Sequence, residues 1–408
     1  TLTSCNPPSA PTDAQASPPA VCSGLCSTLS ATPGNGGNLV EWFTGACDGA
    51  PVPGGASPSV CPTATTTYFA RTRDSGTGCQ SAACATVTVT VNPEPQPPAS
   101  AQATPPIICA GCCATLTAGP GADGDAVVWF LDSCGATPVS GGDSPSVCPL
   151  TTTVYYARTR STATGCVSAT CTPVIVTIDP TPPEVISIER LTPTNQSTNA
   201  ASVTWRVTFS EHVNNVDLAD FALVDASDAI TGEVLTSISA DQGMTIDVTA
   251  DSGTTGDGDL RLDVLTPSAT IVDDAGNPLA VSFTQGQFYT IDKTAPAVQA
   301  ETPVRDSTVR HLPAISVVFT EPVTSLVPGD LTVDGSPATA VTGTEAGTYE
   351  FTGYVTSNPV VGVVLAPGTI PDLAGNAFAG DAWTYHDRCA YPSAVLADAD
   401  ADGDVDLQ

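Results

Sequence analysis

Basic side chains are scarce in this sequence of 408 residues: ten are Arg, and Lys293 is the single Lys. Recognition of phosphate depends on Lys and Arg, and anionic lipid repels an acidic surface. The formal net charge of −31 therefore excludes nucleic acid as a partner. It favours solubility and the attraction of cations such as calcium, although a purely solvated acidic surface also explains it.

Long apolar runs are absent as well. No stretch of about 18 apolar residues occurs, so no membrane span is expected. The chain begins with neither Met nor a signal peptide, so we expect Thr1 to be a mature or trimmed end. Aromatic residues make up 5%. A carbohydrate-binding module needs an exposed aromatic platform, and few aromatic side chains are left for one once the cores are filled.

Catalytic motifs are missing too. The sequence has no Gly-x-Ser-x-Gly, no His-Glu-x-x-His and no phosphate-binding glycine loop. The three histidines are isolated, and the Asp273–Asp274 pair is typical of a turn. With Lys293 alone in a linker, a Lys–Asn cross-link within each domain is also excluded. We therefore expect no enzymatic activity from this stretch.

Cysteine, by contrast, is abundant, with 15 residues, of which 14 precede residue 172. Six of them recur after 87 residues without insertion, and the sequence between them matches as well. This constant spacing predicts two homologous modules. The first set is Cys22, Cys26, Cys47, Cys61, Cys79 and Cys84, and the second is Cys109, Cys113, Cys134, Cys148, Cys166 and Cys171.

Each of these modules has the pattern of short strands separated by Gly and Pro. In the first module the strands are predicted at 27–32, 39–44, 65–73 and 85–91. Trp42 and Trp129 fall in the third strand, where immunoglobulin-like domains bury a Trp. Both modules resemble the tandem immunoglobulin-like repeats of large bacterial secreted proteins. The resemblance implies antiparallel β-sandwiches with these two Trp side chains in the cores.

In the strand order that this resemblance implies, Cys79 and Cys84 flank the last hairpin turn, so Cys79–Cys84 and Cys166–Cys171 are the expected disulfides. The other four cysteines of each module are expected to pair among themselves, in an order left open. Disulfides imply an oxidising, extracellular compartment. A zinc site is the competing interpretation of four clustered cysteines.

Three cysteines remain, Cys5, Cys112 and Cys389. Cys5 and Cys389 lie near opposite ends of the chain, where they could pair between successive molecules; partners outside this sequence are the alternative. Thr1–Ser4 aligns with the last strand of the first module, Thr88–Val91. This segment predicts either a strand of an absent upstream domain or a strand added to a neighbouring molecule's sheet, a route to fibres.

The second half carries different landmarks. VTFSEHV at 207–213 corresponds to VVFTEPV at 317–323, and DDAGN at 273–277 corresponds to DLAGN at 372–376. These segments resemble immunoglobulin-like repeats of bacterial adhesins and surface-layer proteins. The resemblance implies a core Phe, an acidic residue that begins a turn, and a tight turn with Gly at positive φ. It also implies calcium near a module junction, with a plain structural turn as the alternative.

The last residues, DADADGDVDLQ, have the spacing of an EF-hand loop. Asp398 takes position 1, followed by ligands at Asp400, Asp402, Asp404 and Asp406. The segment resembles the first repeat of a dockerin-type module, which implies calcium as a cofactor and a cohesin-like partner. A solvated acidic tail is the alternative interpretation.

These observations predict an all-β chain of tandem immunoglobulin-like antiparallel β-sandwiches in an elongated rod. The expected function is an extracellular, cell-surface structural or adhesive protein, specifically a filament subunit that self-associates head to tail. The alternative is a non-catalytic stalk of a larger secreted enzyme, attached through its dockerin-like end. The predicted segments are 1–15 (strand and linker), 16–97, 98–180, 181–293, 294–387 (four modules) and 388–408 (truncated calcium loop).

Overall fold

The computed structural model describes residues 5–266, 270–343 and 347–387. Their regular structure consists of β-strands and two short 3-10 helices, Leu218–Asp220 and Pro328–Asp330. The chain divides into two compact units, Thr1–Pro180 and Thr181–Gln408, and each unit contains two separate hydrophobic cores. The predicted all-β fold of tandem sandwiches is confirmed.

The first module of unit 1 pairs a three-stranded sheet, β1-β3-β6, with a five-stranded sheet, β2-β8-β7-β4-β5. Only β2 runs parallel to its neighbour, β8. The strands are β1 (Thr12–Ser17), β2 (Ala20–Cys22), β3 (Ser27–Thr32), β4 (Leu39–Thr44), β5 (Ala50–Pro51), β6 (Ser59–Val60), β7 (Thr66–Arg73) and β8 (Ala85–Asn92).

The second module repeats this topology, with sheets β14-β11-β9 and β10-β16-β15-β12-β13. Its strands are β9 (Ala101–Thr104), β10 (Ile107–Ile108), β11 (Ala114–Ala118), β12 (Ala126–Leu131), β13 (Thr137–Pro138), β14 (Ser146–Val147), β15 (Thr153–Arg160) and β16 (Thr172–Ile178).

The two modules of unit 1 fold alike because the same side chains alternate into the core. Strand β7 buries Tyr68 and Ala70 and turns the residues between them outward, as the period of a half-buried strand requires. Trp42 and Trp129 are each 1% exposed. Their indole N–H groups donate to backbone carbonyls, that of Ala56 at 3.0 Å and that of Asp143 at 2.9 Å. Both therefore fill the centre of a core without an unpaired polar atom.

The third module, in unit 2, has four strands in each sheet, β17-β19-β22-β21 and β18-β25-β23-β20, with β24 also paired to β19. The strands are β17 (Val185–Thr192), β18 (Ser197–Thr198), β19 (Ser202–Asn214), β20 (Phe221–Asp225), β21 (Thr231–Ile238), β22 (Gly243–Thr255), β23 (Gly258–Val264), β24 (Val272–Asp273) and β25 (Phe288–Ile291).

The fourth module has sheets β26-β28-β32-β31 and β27-β34-β33-β29-β30. Its strands are β26 (Val298–Thr302), β27 (Thr308–Val309), β28 (Ala314–Phe319), β29 (Leu331–Val333), β30 (Ser336–Pro337), β31 (Ala340–Thr342), β32 (Thr348–Thr352), β33 (Val360–Leu365) and β34 (Asp381–Asp387).

All four modules share one detail at the point where the first strand leaves one sheet and its continuation joins the other. A cis peptide bond precedes a Pro there, at Ser17–Pro18, Thr104–Pro105, Thr192–Pro193 and Thr302–Pro303. The short strand that follows runs parallel to the module's last strand.

The first module begins earlier than the sequence analysis predicts. Strand β1 starts at Thr12, inside the segment 1–15 that was predicted to be a strand and a linker, and pairs with β3. Its apolar residues are only Ala14 and Ala16, which pack against the core. An alternation built on Ala gives a weak strand signal, which explains why the boundary was placed too late.

Two of the disulfides predicted in unit 1 are wrong. Cys84 bonds to Cys47 and not to Cys79, with Cα atoms 5.7 Å apart, and Cys171 bonds in the same way to Cys134. The reason is the register of β8, which begins at Ala85 opposite Ala70, partway along β7. Cys84 therefore lies near the β4–β5 turn, whereas the hairpin carries Cys79 away from it.

The remaining within-module pairs are Cys26–Cys61 and Cys113–Cys148, each spanning 35 residues. Both fulfil the expectation of pairing within a module. Cys109 also pairs within its module, but with Cys112, three residues away. All 14 cysteines within the described residues form disulfides, so the zinc alternative does not apply to them.

Two bridges contradict the predicted grouping. Cys22, expected to pair within the first module, bonds to Cys166 in the second. Cys5, predicted to bridge between molecules, bonds to Cys79 of the same chain. Both predictions failed for one reason: sequence spacing gave no indication that the hairpin cysteines Cys79 and Cys166 point toward the preceding segment. Cys389, the other predicted intermolecular cysteine, lies outside the described residues, as does Thr1–Ser4.

Candidate cation site at the junction of the third and fourth modules

A tight turn at 372–376 supplies the first carboxylate of the candidate site. Asp372 is 3% exposed and accepts hydrogen bonds from the Gly375 N–H at 2.6 Å and the Asn376 N–H at 2.9 Å. The Asn376 side chain donates to its second oxygen at 2.8 Å. Gly375 has φ +99°, a conformation that Gly adopts without strain. The predicted turn, with Gly at positive φ, is confirmed.

The same turn rests on the end of the third module. The Asn376 side chain donates to the backbone carbonyl of Asp292 at 2.9 Å, and the backbone N–H of Asn199 donates to the Ala374 carbonyl at 3.1 Å. Asp292 directly follows β25, the last strand of the third module. The turn therefore places Asp372 of one module beside Asp292 of the other.

Glu321 completes the group from the end of β28. It follows Phe319, a core residue as predicted, at a bend in the chain. The carboxylates of Asp292, Glu321 and Asp372 each offer an oxygen within 4.8 Å of the others. We call these three residues the junction cluster.

Burial and mutual repulsion raise pKa values in the junction cluster. Burial, together with the nearby charges of Asp292, Asp372 and Asp257, raises the pKa of Glu321 to about 7. Burial and the charges of Asp372 and Asp257 also raise the pKa of Asp292. The protonated forms of Glu321 and Asp292 are therefore more favoured than those of an exposed carboxyl group.

Asp257 is the fourth acidic group nearby, and it is held ionised. Burial acts to raise its pKa, but hydrogen bonds from the Thr294 hydroxyl and the Lys293 and Thr294 backbone outweigh burial and lower it. Its carboxylate accepts from the Lys293 N–H at 2.6 Å. This fixed negative charge adds to the repulsion in the cluster.

The ammonium group of Lys293, the residue after Asp292, has its hydrogen-bond partners outside the junction cluster. Lys293 Nζ donates to the carbonyls of Asn199 and Ala200 at 2.9 and 2.7 Å and to the Ser252 hydroxyl at 3.0 Å. Burial lowers the pKa of this Lys. Among the ion pairs of the described residues, none involves the junction cluster.

The donor set fits a hard cation. All three groups are carboxylates, no nitrogen or sulfur ligand is present, and calcium takes six to eight oxygen ligands from such groups. Three carboxylates, each able to bind through one or two oxygens, would supply about half of a calcium shell, with water or backbone carbonyls supplying the rest.

The third module repeats part of this arrangement. Asp273 is 2% exposed and accepts from the backbone of Ala275 at 2.8 Å and of Asn277 at 2.7 Å. A Glu211 carboxylate oxygen lies within 4.8 Å of one from Asp273. The expectation that the acidic residue begins a turn holds for Glu321 but is wrong for Glu211, which lies inside β19. The strand continues there because an irregular register between Thr208 and Val213 absorbs the extra residues.

Other residues singled out from the sequence lie outside the junction cluster. His212 pairs with Asp274 at 2.9 Å on the surface. Asp398, Asp400, Asp402, Asp404 and Asp406, the predicted calcium loop, lie outside the described residues. Sequence reasoning missed Asp292 as a site residue. The available signal was TID at 290–292, directly before a boundary and matched by TID at 177–179.

Two family models match the chain. Residues 8–93 and 95–180 each match an Ig-like domain described as CHU_C associated, and residues 179–288 match a bacterial Ig-like domain. The chain carries tandem bacterial immunoglobulin-like domains. The resemblance stated for the two cysteine-rich modules and for the third module is thereby confirmed at the level of the domain type.

Solved structures similar to these immunoglobulin-like domains include an adhesin, FdeC of Escherichia coli, at 14% identity and a TM-score of 0.34, covering 70% of this chain and 96% of that one. The eight N-terminal Ig domains of Down Syndrome Cell Adhesion Molecule match at 10% identity and a TM-score of 0.28, covering 95% of this chain and 49% of that one. The FN1–FN3 domains of chicken CNTN1 match at 10% identity and a TM-score of 0.24, covering 70% of this chain and 99% of that one. No curated protein sequence matches the chain.

Proposed function

We propose that this chain is an extracellular, non-catalytic structural or adhesive segment of a bacterial surface protein. The observation that carries the proposal is the succession of four sandwiches, each with its own core, of which two are cross-linked by seven disulfides. Disulfides of this density persist in oxidising compartments outside the cytoplasm. Repeated small modules extend a protein without creating a catalytic cleft.

The net charge is also consistent with this role. The net charge of −31 keeps a surface protein soluble and resists non-specific association. Within the described residues, no helix is both long enough and apolar enough to cross a membrane. The stalk of a larger secreted enzyme is the second candidate, favoured only by the dockerin-like spacing of Asp398–Asp406.

The test is a location and adhesion measurement in the source bacterium. Intact cells are labelled with an antibody to the four modules and are then treated with an external protease. We expect labelling that the protease removes, and reduced attachment to surfaces after deletion of the segment. Labelling that requires permeabilised cells would overturn the proposal, whereas secretion in complex with a catalytic subunit would support the stalk.

We also propose that calcium binds at the junction cluster, in addition to the loop that begins at Asp398. The support at the junction is the all-oxygen donor set and the raised pKa values of Glu321 and Asp292, since a divalent cation would offset the burial and the repulsion that raise them.

Thermal unfolding with calcium, with magnesium and with chelator tests this part. We expect calcium to raise the melting temperature of unit 2, and an Asp292→Asn, Asp372→Asn variant to lose most of that increase. A matched variant, Asp398→Asn, Asp400→Asn, removes ligands of the predicted terminal loop and should keep it. An equal response of wild type and the junction variant would contradict calcium at the junction.

A further inference from the structure

One disulfide connects the two cysteine-rich modules, and its two cysteines occupy different positions in the repeat. Shifting Cys22 by 87 residues gives Cys109, and shifting Cys79 gives Cys166. Cys22 of the first module bonds to Cys166 of the second, with Cα atoms 5.6 Å apart. A bridge thus connects the second strand of one module to the last hairpin of the next. It spans 144 residues, far more than the pairs within modules.

The same hairpin of the first module is also bonded to the segment before it, through Cys5–Cys79. Cys5 is the equivalent of Asn92 by the 87-residue offset. Asn92 is paired with Cys22 in adjacent strands. Cys5 and Cys22 therefore correspond to neighbouring positions on adjacent strands. Each hairpin cysteine, Cys79 and Cys166, thus bonds to the equivalent region of the segment that precedes its own module.

At the other end, Cys109 is the equivalent of Cys22, but no cysteine of a following module is bonded to it. It bonds instead to Cys112, whose counterpart in the first module is Leu25. Cys112 therefore takes up the thiol that a further cysteine-rich module would engage. The backward bridge is a regular feature of the array, and Cys112 ends it.

The geometry points to a mechanical function: we propose that Cys22–Cys166 limits the extension of unit 1 under tension to the short segments before Cys22 and after Cys166. A pulling force follows the shortest covalent route along the chain. That route runs from Cys22 through the bridge to Cys166 and bypasses everything between them, including most of both sandwiches. Cys26–Cys61 and Cys113–Cys148 lie within the bypassed segment, so they carry no load while the long bridge is intact.

This inference depends only on disulfide connectivity and goes beyond the proposed surface role. Unit 2 contains no cysteine among its described residues, so its two modules lack such a route. The chain would therefore combine a unit of limited extension with a unit that lengthens when its sandwiches unfold.

Single-molecule stretching of the full chain, held at both ends, tests the proposal. Oxidised wild type should show unfolding of whole modules from unit 2 only, because unit 1 can release no more than the segments before Cys22 and after Cys166. Full reduction should add about 50 nm of contour length, since each released residue contributes about 3.3–3.6 Å. A wild-type chain whose length is unchanged by reduction would overturn the proposal.

Two double variants sharpen the result. In Cys22→Ser, Cys166→Ser the shortest route passes through Cys5–Cys79, Cys109–Cys112, Cys113–Cys148 and Cys134–Cys171, which exposes about 23 more residues and adds about 8 nm without reductant. The matched control, Cys26→Ser, Cys61→Ser, should add nothing, because that bridge lies off the route. Equal contour lengths for both variants would contradict the assigned load path.

If either variant fails to fold, peptide mapping of oxidised wild type decides the connectivity. A non-reduced digest should contain one peptide pair joined through Cys22 and Cys166. Recovery of Cys166 linked to Cys171 would overturn the proposal. Surface location plays no part in either measurement, so failure here leaves the proposed function untouched, and the reverse also holds.

Discussion

Glu321 shows how one side chain can report on the junction between modules. Its carboxyl lies beside those of Asp292 and Asp372, and its pKa is raised to about 7. In the unfolded chain the same group has an ordinary pKa near 4.5. Between these two values the folded protein binds more protons than the unfolded one. Without a cation, stability therefore falls as pH rises through this window.

We expect Glu321→Gln to abolish that loss. In chelator at pH 8 the variant should be more stable than wild type by about 1–2 kcal/mol, a value already reduced for solvent screening, and the two should be equal at pH 4. Denaturant unfolding across pH measures the difference. Glu350→Gln, on the exposed face of β32 in the same module, is the control and should follow wild type. A variant with the wild-type pH profile would show that folding does not raise the pKa of Glu321.

Calcium should reverse the order of stability of wild type and Glu321→Gln. If the cation binds the junction cluster, it stabilises wild type by an amount that grows with the logarithm of its affinity, and the Gln variant lacks one carboxylate ligand. Saturating calcium at pH 8 should therefore raise the melting temperature of wild type more than that of Glu321→Gln. An equal increase in both would place the cation elsewhere.

Residues with a strong core preference could be predicted from the sequence alone. Trp42, Trp129, Phe209 and Phe319 are buried as predicted, because a large apolar side chain in an alternating strand has one low-energy position. Asp292 could not be predicted in this way. Its role depends on a contact between two modules, and local periodicity contains no information about that contact.

At the scale of elements, strands were predicted better than the loops between them. Strands β3 and β4 have the predicted bounds, 27–32 and 39–44. The long hairpin between β7 and β8 determines the disulfides, and its path depends on where β8 begins to pair. Alternation indicates which residues face the core, but not the register at which a neighbouring strand starts. The pairing of Cys84 could therefore not be predicted from the sequence pattern.

The turn at 372–376 gives a prediction at this scale. Gly375→Ala should destabilise unit 2 by about 1–2 kcal/mol, because the residue has φ +99°, a conformation that strains any residue with a Cβ. Thermal unfolding measures the effect. The control is Gly329→Ala in the short helix Pro328–Asp330, where φ is ordinary and a Cβ would meet nothing within 4 Å. That change should be neutral or slightly stabilising, and equal losses would contradict the assigned role of positive φ.

For the whole molecule, the dominant electrostatic quantity is the net charge of −31 on 408 residues. Like charges at this density repel one another and oppose the compact state. Monovalent salt shortens the distance over which they act, from about 30 Å at 0.01 M to about 3 Å at 1 M. Stability should therefore depend on ionic strength even where no specific site is involved.

We expect the melting temperature to rise by a few degrees between about 0.01 and 0.5 M NaCl at pH 8, in chelator. Near pH 4.1, the isoelectric point, the same salt should have little effect, because the net charge is then close to zero. Differential scanning calorimetry at both pH values makes the comparison. A salt response of equal size at pH 4.1 would show that charge repulsion is not its source.

The backward bridges also have a consequence for how such an array can grow. A further copy of the 87-residue module placed between the two existing ones would bring six thiols, four of which close within it. Of the other two, the hairpin thiol would take Cys22 and the second-strand thiol would take Cys166. No thiol is left over, and neither Cys5 nor Cys112 needs to change. Gene duplication can thus lengthen the cross-linked segment by any whole number of repeats while every intermediate length remains fully oxidised.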